Sequence, residues 1–103
     1  MGLYQHAADA APAWLDALAE RLQDETPSVR VAAAGLLYRY RPDDALAVLM
    51  RELQNPDEWV RLQAGNIVDP LGDKAPGARQ IFQELTKDSN QYVVRIANHA
   101  TAD

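Results

Sequence analysis

Apolar residues recur along the chain at the spacing of one helical face, and they do so in three rounds. Leu15, Leu18, Ala19 and Leu22 stand at i, i+3, i+4 and i+7; Leu46, Leu49, Met50 and Leu53 repeat the pattern, and Ala78, Ile81, Phe82 and Leu85 repeat it again. Each set predicts an amphipathic α-helix with one buried stripe. A second apolar series follows each after a polar turn: Val29, Ala32, Ala33, Leu36 and Leu37; then Val60, Ala64, Ile67, Val68 and Leu71; then Val94, Ala97 and Thr101, near the end of the chain. No stretch alternates with period two for long enough to predict a strand. The fold class is read as all α, a solenoid of three helical hairpins in one domain over 1–103. The repeats fall at about 12–41, 42–74 and 75–103, and residues 1–11, with Leu3, Tyr4, Ala7 and Ala8, read as the remnant of a preceding repeat's inner helix.

The polar turns repeat as well. Gln23-Asp24-Glu25-Thr26-Pro27-Ser28-Val29-Arg30-Val31-Ala32-Ala33 is echoed from Gln54 to Ala64 and again from Asp88 to Asn98. Anchored on the Val-Arg-aliphatic triplet, Arg30, Arg61 and Arg95 lie 31 and 34 residues apart. Pro12, Pro42 and Pro76 precede the first helices, where a fixed φ and a missing donor do no harm. Thr26-Pro27 and Asn55-Pro56 open the second helices, with Asn55 and Glu58 spaced as a capping box. Pro70, behind Asp69, should end or kink the second helix of repeat two.

A hairpin with one apolar stripe per helix cannot cover that stripe alone, so the hairpins must stack on one another. Ala32, Ala33, Ala34, Gly35, Ala64 and Gly65 would let the inner helices approach closely. This explains why alanine is the commonest residue among the 48% that are hydrophobic.

The Val-Arg-x-x-Ala opening of the second helix, behind an acidic turn, resembles the HEAT repeat, in its short variant of about thirty residues known from phycobilisome lyases. The resemblance covers residues 12–100 and implies a right-handed α-α superhelix. It also implies a ladder in which Asp24, Asp57 and Asp88, with Glu25 and Glu58, bond Arg30, Arg61 and Arg95. A cation near a helix N-terminus opposes the macrodipole, so the arginines need that compensation, and a structural role is expected of them. Asn55 to Ala64, followed by Leu71-Gly72-Asp73-Lys74-Ala75, is similar to the HEAT-type C-terminal extension of some bacterial sulfatases. The sulfatase nucleophile motif is absent, with Glu25 and Val29 at the corresponding positions around Pro27.

At 103 residues the chain buries about two thirds of its unfolded surface, which leaves little for a deep reaction chamber. A net charge of −5 has the wrong sign for a phosphate-neutralising protein, and Arg39, Arg41 and Arg51 are too few to make a basic groove, so nucleic acid is not expected as a partner. The absence of cysteine removes disulfides, thiolate zinc sites and a thiol nucleophile, and says nothing of compartment. Neither a targeting segment nor a membrane span is read. His6 and His99 are not at metal-ligand spacing. The acidic pairs Asp24-Glu25, Asp43-Asp44 and Asp57-Glu58 sit at helix starts, where negative charge is favourable in its own right. No catalytic residue, metal or cofactor is assigned. Tyr38-Arg39-Tyr40-Arg41 is read as tyrosine packing under a turn.

One set of residues stands out for binding. Trp59, at the position of Ser28 and Val93, forms an i, i+4, i+7 row with Gln63 and Asn66 on an inner helix. Tryptophan is enriched at binding hot spots. The expectation is a noncatalytic interaction or scaffold module, a terminal piece of a larger protein such as a sulfatase, whose partner is another protein or a parent catalytic domain. Self-association through exposed solenoid ends is also open. The alternative is a lyase-like protein acting on a tetrapyrrole.

Overall fold

A computed structural model describes residues 12–102, and among these the chain is helical with no strand. The remnant read for residues 1–11, and His6 with it, lie outside the described residues. Six α-helices follow in order: α1 (Ala13–Glu20), α2 (Pro27–Leu37), α3 (Pro42–Glu52), α4 (Glu58–Val68), α5 (Ala78–Leu85) and α6 (Gln91–Thr101). Short 3-10 segments extend α1 over Arg21–Gln23 and α4 over Asp69–Lys74. Pro27 and Pro42 each occupy the first turn of a helix. Pro70 has no N–H to offer the carbonyl four residues back, and α4 gives way to 3-10 geometry at Asp69 as its sequence requires. The last hairpin opens differently, from Gly77, whose φ of 88° lies in the left-handed region that glycine enters without strain.

α1–α2, α3–α4 and α5–α6 form the three hairpins. Within the array α2 packs on α4 and α4 on α6, while α2 also lies broadly against α3 of the next hairpin. The extents are 56 × 32 × 16 Å and the radius of gyration is 15.7 Å, above the ~13 Å of a closed domain of this length, as stacking in a line requires. The fold is a HEAT-like helical-repeat solenoid.

The core runs the length of the stack. Val31, Leu37, Leu49 and Leu53 are completely buried, and so are Ala34, Ala45, Ala64 and Ala97. Each first-helix stripe faces inward as its spacing predicts, and so does that of α4. The stripe of α2 does so only in part: Ala33 and Leu37 are buried, but Val29, Ala32 and Leu36 are exposed, while Val31 and Ala34, outside the stripe, are buried. α2 is covered on several sides, by α1, α3 and α4, with its widest contact on α3, so burial on this helix is not confined to one stripe.

Gly35 and Gly65 make the close approaches expected of them. A Cβ added at Gly35 would lie 3.0 Å from Ile67 Cδ1, and one at Gly65 would lie 3.5 Å from Ile96 Cγ2. The second of these is ordinary contact. Gly65→Ala should therefore gain helix propensity without strain and raise stability by about 0.5–1 kcal/mol in urea unfolding; a loss would show that α4 and α6 have no room for the methyl group.

Candidate functional site

The three turns that open the second helices share a side-chain device. Thr26 N donates to Asp24 Oδ1 (2.8 Å), Asp57 N to Asn55 Oδ1 (2.8 Å) and Asn90 N to Asp88 Oδ1 (2.9 Å), each bond turning the chain two residues before the N-cap. Asn55 therefore does not form a capping box with Glu58. Asp57 caps α4 by accepting from Trp59 N, and Glu58 Oε1 accepts from the Nδ2 of buried Asn90 at 3.0 Å. These turns, and the helix starts at Pro27, Glu58 and Gln91, put the repeats 31 and 33 residues apart. The Val-Arg triplet of the third copy is one residue late. Val94, not Arg95, occupies the place of Arg30 and Arg61, and Tyr92, not Val93, the place of Trp59.

The two arginines in register behave alike. Arg30 Nη1 donates to the backbone carbonyls of Asp24 (2.8 Å) and Glu25 (3.3 Å), and Arg61 Nη1 to those of Asn55 (2.8 Å) and Pro56 (3.0 Å). Each then reaches into the following hairpin. Arg61 forms a bidentate pair with Asp88, Nε to Oδ2 at 2.7 Å and Nη2 to Oδ1 at 3.0 Å. Arg30 Nη2 meets Glu52 Oε1 at 2.8 Å. The carboxylates of Asp24 and Asp57 are engaged by backbone N–H groups of their own turns, and among the described residues neither hydrogen-bonds a ladder arginine. Arg95 is exposed and lies over the Tyr92 ring, 5.8 Å from its centre. The ladder thus has two rungs, Arg30–Glu52 and Arg61–Asp88, and the Asp24, Asp57 and Arg95 assignments are corrected.

Glu52 was not expected. It lies at the end of α3, buried with Ala45, Val48 and Leu49, is only 2% exposed, and holds three donors: Arg30, Arg51 Nε (3.0 Å) and Asn55 Nδ2 (3.0 Å). Burial pushes its carboxyl up, and the hydrogen bonds from Arg30, Arg51 and Asn55 more than reverse this, leaving its pKa below the usual 4.5. Asp88 follows the same logic: burial raises it, Arg61 and the Asn90 N–H lower it further, and it ends below 3.8. The bond to Asp88, against some desolvation, raises Arg61. Carboxyls depressed in the folded state stabilise it above their unfolded pKa values and lose that contribution as pH falls through the folded ones. Unfolding free energy should therefore hold steady from neutral pH to about 5 and then decline. Double replacement Glu52→Gln, Asp88→Asn should flatten the decline in acid titrations; an unchanged slope would put the acid sensitivity elsewhere.

Among the remaining polar residues, His99 Nδ1 lies 2.7 Å from Asp69 Oδ2 across the last two repeats, at the helical position of Gly35 and Asn66. Arg41 bonds Asp16 at 3.0 Å. Tyr38 packs on the core as expected, whereas Tyr40 is half-exposed and meets the edge of Trp14 at 5.1 Å between ring centres. No group of three or more metal-ligating side chains occurs among the described residues.

The row proposed for binding is partly engaged. Gln63 Nε2 donates to the Ser28 carbonyl at 2.9 Å, tying α4 back to α2. Trp59 is 58% exposed and Asn66 is exposed. Beside Trp59, with ring centres 6.5 Å apart, stands Tyr92 from the next repeat, 45% exposed. Between α4 and α6 a shallow pocket of about 240 Å³ is lined by Leu62, Asn66, Tyr92, Arg95 and Ile96. Alignment on the turn residues Asp24, Asn55 and Asp88 would have placed Tyr92 beside Trp59 from sequence. Alignment on the arginines concealed it.

A family model of HEAT repeats matches residues 15–102, the whole of the described array but its first turn. No curated protein and no solved structure matches the chain. No described helix is long and apolar enough to cross a membrane. With the family model spanning all three hairpins, the chain belongs to the HEAT repeats, whose arrays generally mediate protein–protein interaction and are typically noncatalytic scaffolds.

Proposed function

We propose that this chain is a noncatalytic protein-interaction module that engages its partner through the α4–α6 face, with Trp59, Asn66 and Tyr92 as the contact residues and Gln63 fixing the face on α2. The observation that carries the reading is the pair of large rings supplied by successive repeats, both about half exposed, beside a pocket floored by Leu62 and Ile96. Rigid aromatic side chains on a firm scaffold make anchor contacts at low entropic cost. The carboxylates and arginines nearby stabilise turns and rungs, so they support a scaffold role more than a chemical one.

The similarity of Asn55–Ala64 to sulfatase extensions supports a parent catalytic domain, such as a bacterial sulfatase, as the partner. The test uses two probes, peptides selected by display against the intact chain and a purified bacterial sulfatase domain. Trp59→Ala should weaken selected binders by at least about 30-fold, the equivalent of a 2 kcal/mol hot spot, while Gln80→Ala on α5 leaves them unchanged. Binders indifferent to Trp59 and Tyr92 would end the assignment of this face. On this reading a linear tetrapyrrole keeps its visible absorbance when mixed with the protein; a spectral change would favour the lyase-like alternative.

A further inference from the structure

The seam between α4 and α6 is polarised along its length. Tyr92 borders two shallow pockets on it. One, of about 270 Å³ at the helix starts, has Glu58, Trp59 and Asn90 in its lining, and there the Glu58 carboxylate holds the Asn90 amide at 3.0 Å. The other is the pocket of about 240 Å³ formed with Leu62, Asn66, Arg95 and Ile96. An acid thus stands at one end of the seam and a guanidinium at the other.

Arg95 differs from the other arginines of the array. Arg30, Arg41, Arg51 and Arg61 each hold a carboxylate at 3.0 Å or less, whereas Arg95 holds none among the described residues. Its guanidinium lies over the Tyr92 ring, 5.8 Å from the centre, and a guanidinium held by its face keeps the N–H donors of its edge for a partner. Asn66, exposed in the same lining, likewise hydrogen-bonds no described residue. Leu62 and Ile96 pack partly buried on the core. Unengaged donors over an apolar floor are complementary to a carboxylate that stands next to a large apolar side chain.

The same pattern narrows the class of ligand. A nucleic acid or an anionic membrane would meet Glu58 within the seam, and the net charge of −5 opposes both. The pocket is smaller than the ~300–1,000 Å³ of small-molecule sites and suits a single side chain. It lies on the flanks of α4 and α6, where backbone N–H groups are engaged within the helices, so it has no nest of free amides to capture a chain terminus. We infer that this face, given the reading above that it is the contact surface, takes a segment of its protein partner in which a Glu or Asp side chain pairs with Arg95 and Asn66. A neighbouring Leu, Met or Phe of that segment enters the pocket of Leu62 and Ile96.

The intact chain tests this by selecting binders from a display library of random short peptides. The selected sequences should share a Glu or Asp within a few residues of a large apolar side chain. Synthesised with amidated carboxy termini, they should lose about 10-fold in affinity for Arg95→Gln, the scale of one charge-assisted hydrogen-bonded pair. Changing the peptide's acid to its amide should cost the parent protein as much, and the two losses should not add, because they remove the same contact. Urea unfolding of Arg95→Gln should match that of the parent, which separates lost recognition from lost folding. Binders weakened by Trp59→Ala but indifferent to Arg95→Gln would overturn this inference and leave the face standing. Binders indifferent to both, or a library that yields none, would remove the face and the inference together. A requirement for a free carboxy terminus would also overturn it, by making a chain end the ligand.

Discussion

Replacing Arg61 with methionine is expected to lower the free energy of unfolding by about 3 kcal/mol, the scale of breaking a buried ion pair from one side. The rung is well covered, with the Arg61 side chain 15% exposed and that of Asp88 5%. Loss of the guanidinium also removes the donor to two carbonyls of the preceding turn and leaves Asp88 with the Asn90 N–H as its remaining partner. Arg30→Met should cost less, because Glu52 keeps Arg51 and Asn55. The first rung is already imperfect: Arg30 Nε is buried without a hydrogen-bond partner, since the second oxygen of Glu52 is taken by Arg51. Arg95→Met should fall within about 0.5 kcal/mol of the parent, as an exposed cation over a ring contributes little. Urea unfolding of the three variants gives the order directly. Equal losses for Arg61 and Arg95 would restore the three-rung ladder and refute the register drawn from the turns.

The second large effect concerns the last hairpin. Phe82 is the only phenylalanine and is 3% exposed; with Ala78 and Leu85 it makes up the buried face of the eight-residue α5. Phe82→Ala should cost about 3–5 kcal/mol, from lost transfer free energy and the cavity left beside α4 and α6. A helix this short has little stability of its own, so the loss should appear first in α5 and α6 as faster amide exchange, with α2 and α3 protected for longer. Val29→Ala, by contrast, should change stability by no more than about 0.5 kcal/mol, because the side chain it shortens is substantially exposed. A large effect at Val29 would return the α2 stripe to the face its spacing suggests. Uniform exchange after Phe82→Ala would mean the array unfolds as one unit.

Those contrasts mark where the sequence was legible. Period, prolines and the Asp69-Pro70 break sufficed for six helices, since each rests on local backbone chemistry. The stripe of α2 was not decidable from spacing, because Val29 and Val31, and likewise Leu36 and Leu37, offer apolar side chains on two faces. Periodicity reached Leu37, but the burial of Val31 follows from α2 being packed on several sides, by α1, α3 and α4. Glu52 looked like an ordinary polar member of its helix, and its partner Arg30 lies 22 residues earlier. In the third copy the eye follows the arginine, whereas the backbone follows the turn residue, and the two differ by one position. Of the binding row, Trp59 and Asn66 were readable as exposed inner-helix residues. Tyr92 required the turn register, and the engagement of Gln63 by the Ser28 carbonyl required coordinates.

Each rung joins a guanidinium to an acid farther along the chain, which gives the array a reading direction. A tandem duplication of the middle hairpin would preserve that grammar, because Arg61 of the first copy would find Glu52 of the second where Arg30 finds it now. Transposing the final hairpin to the front would not: Arg61 would then lose Asp88, and Val94 would face the first hairpin with no guanidinium to offer. Engineers could lengthen this protein from within, but they could not shuffle it.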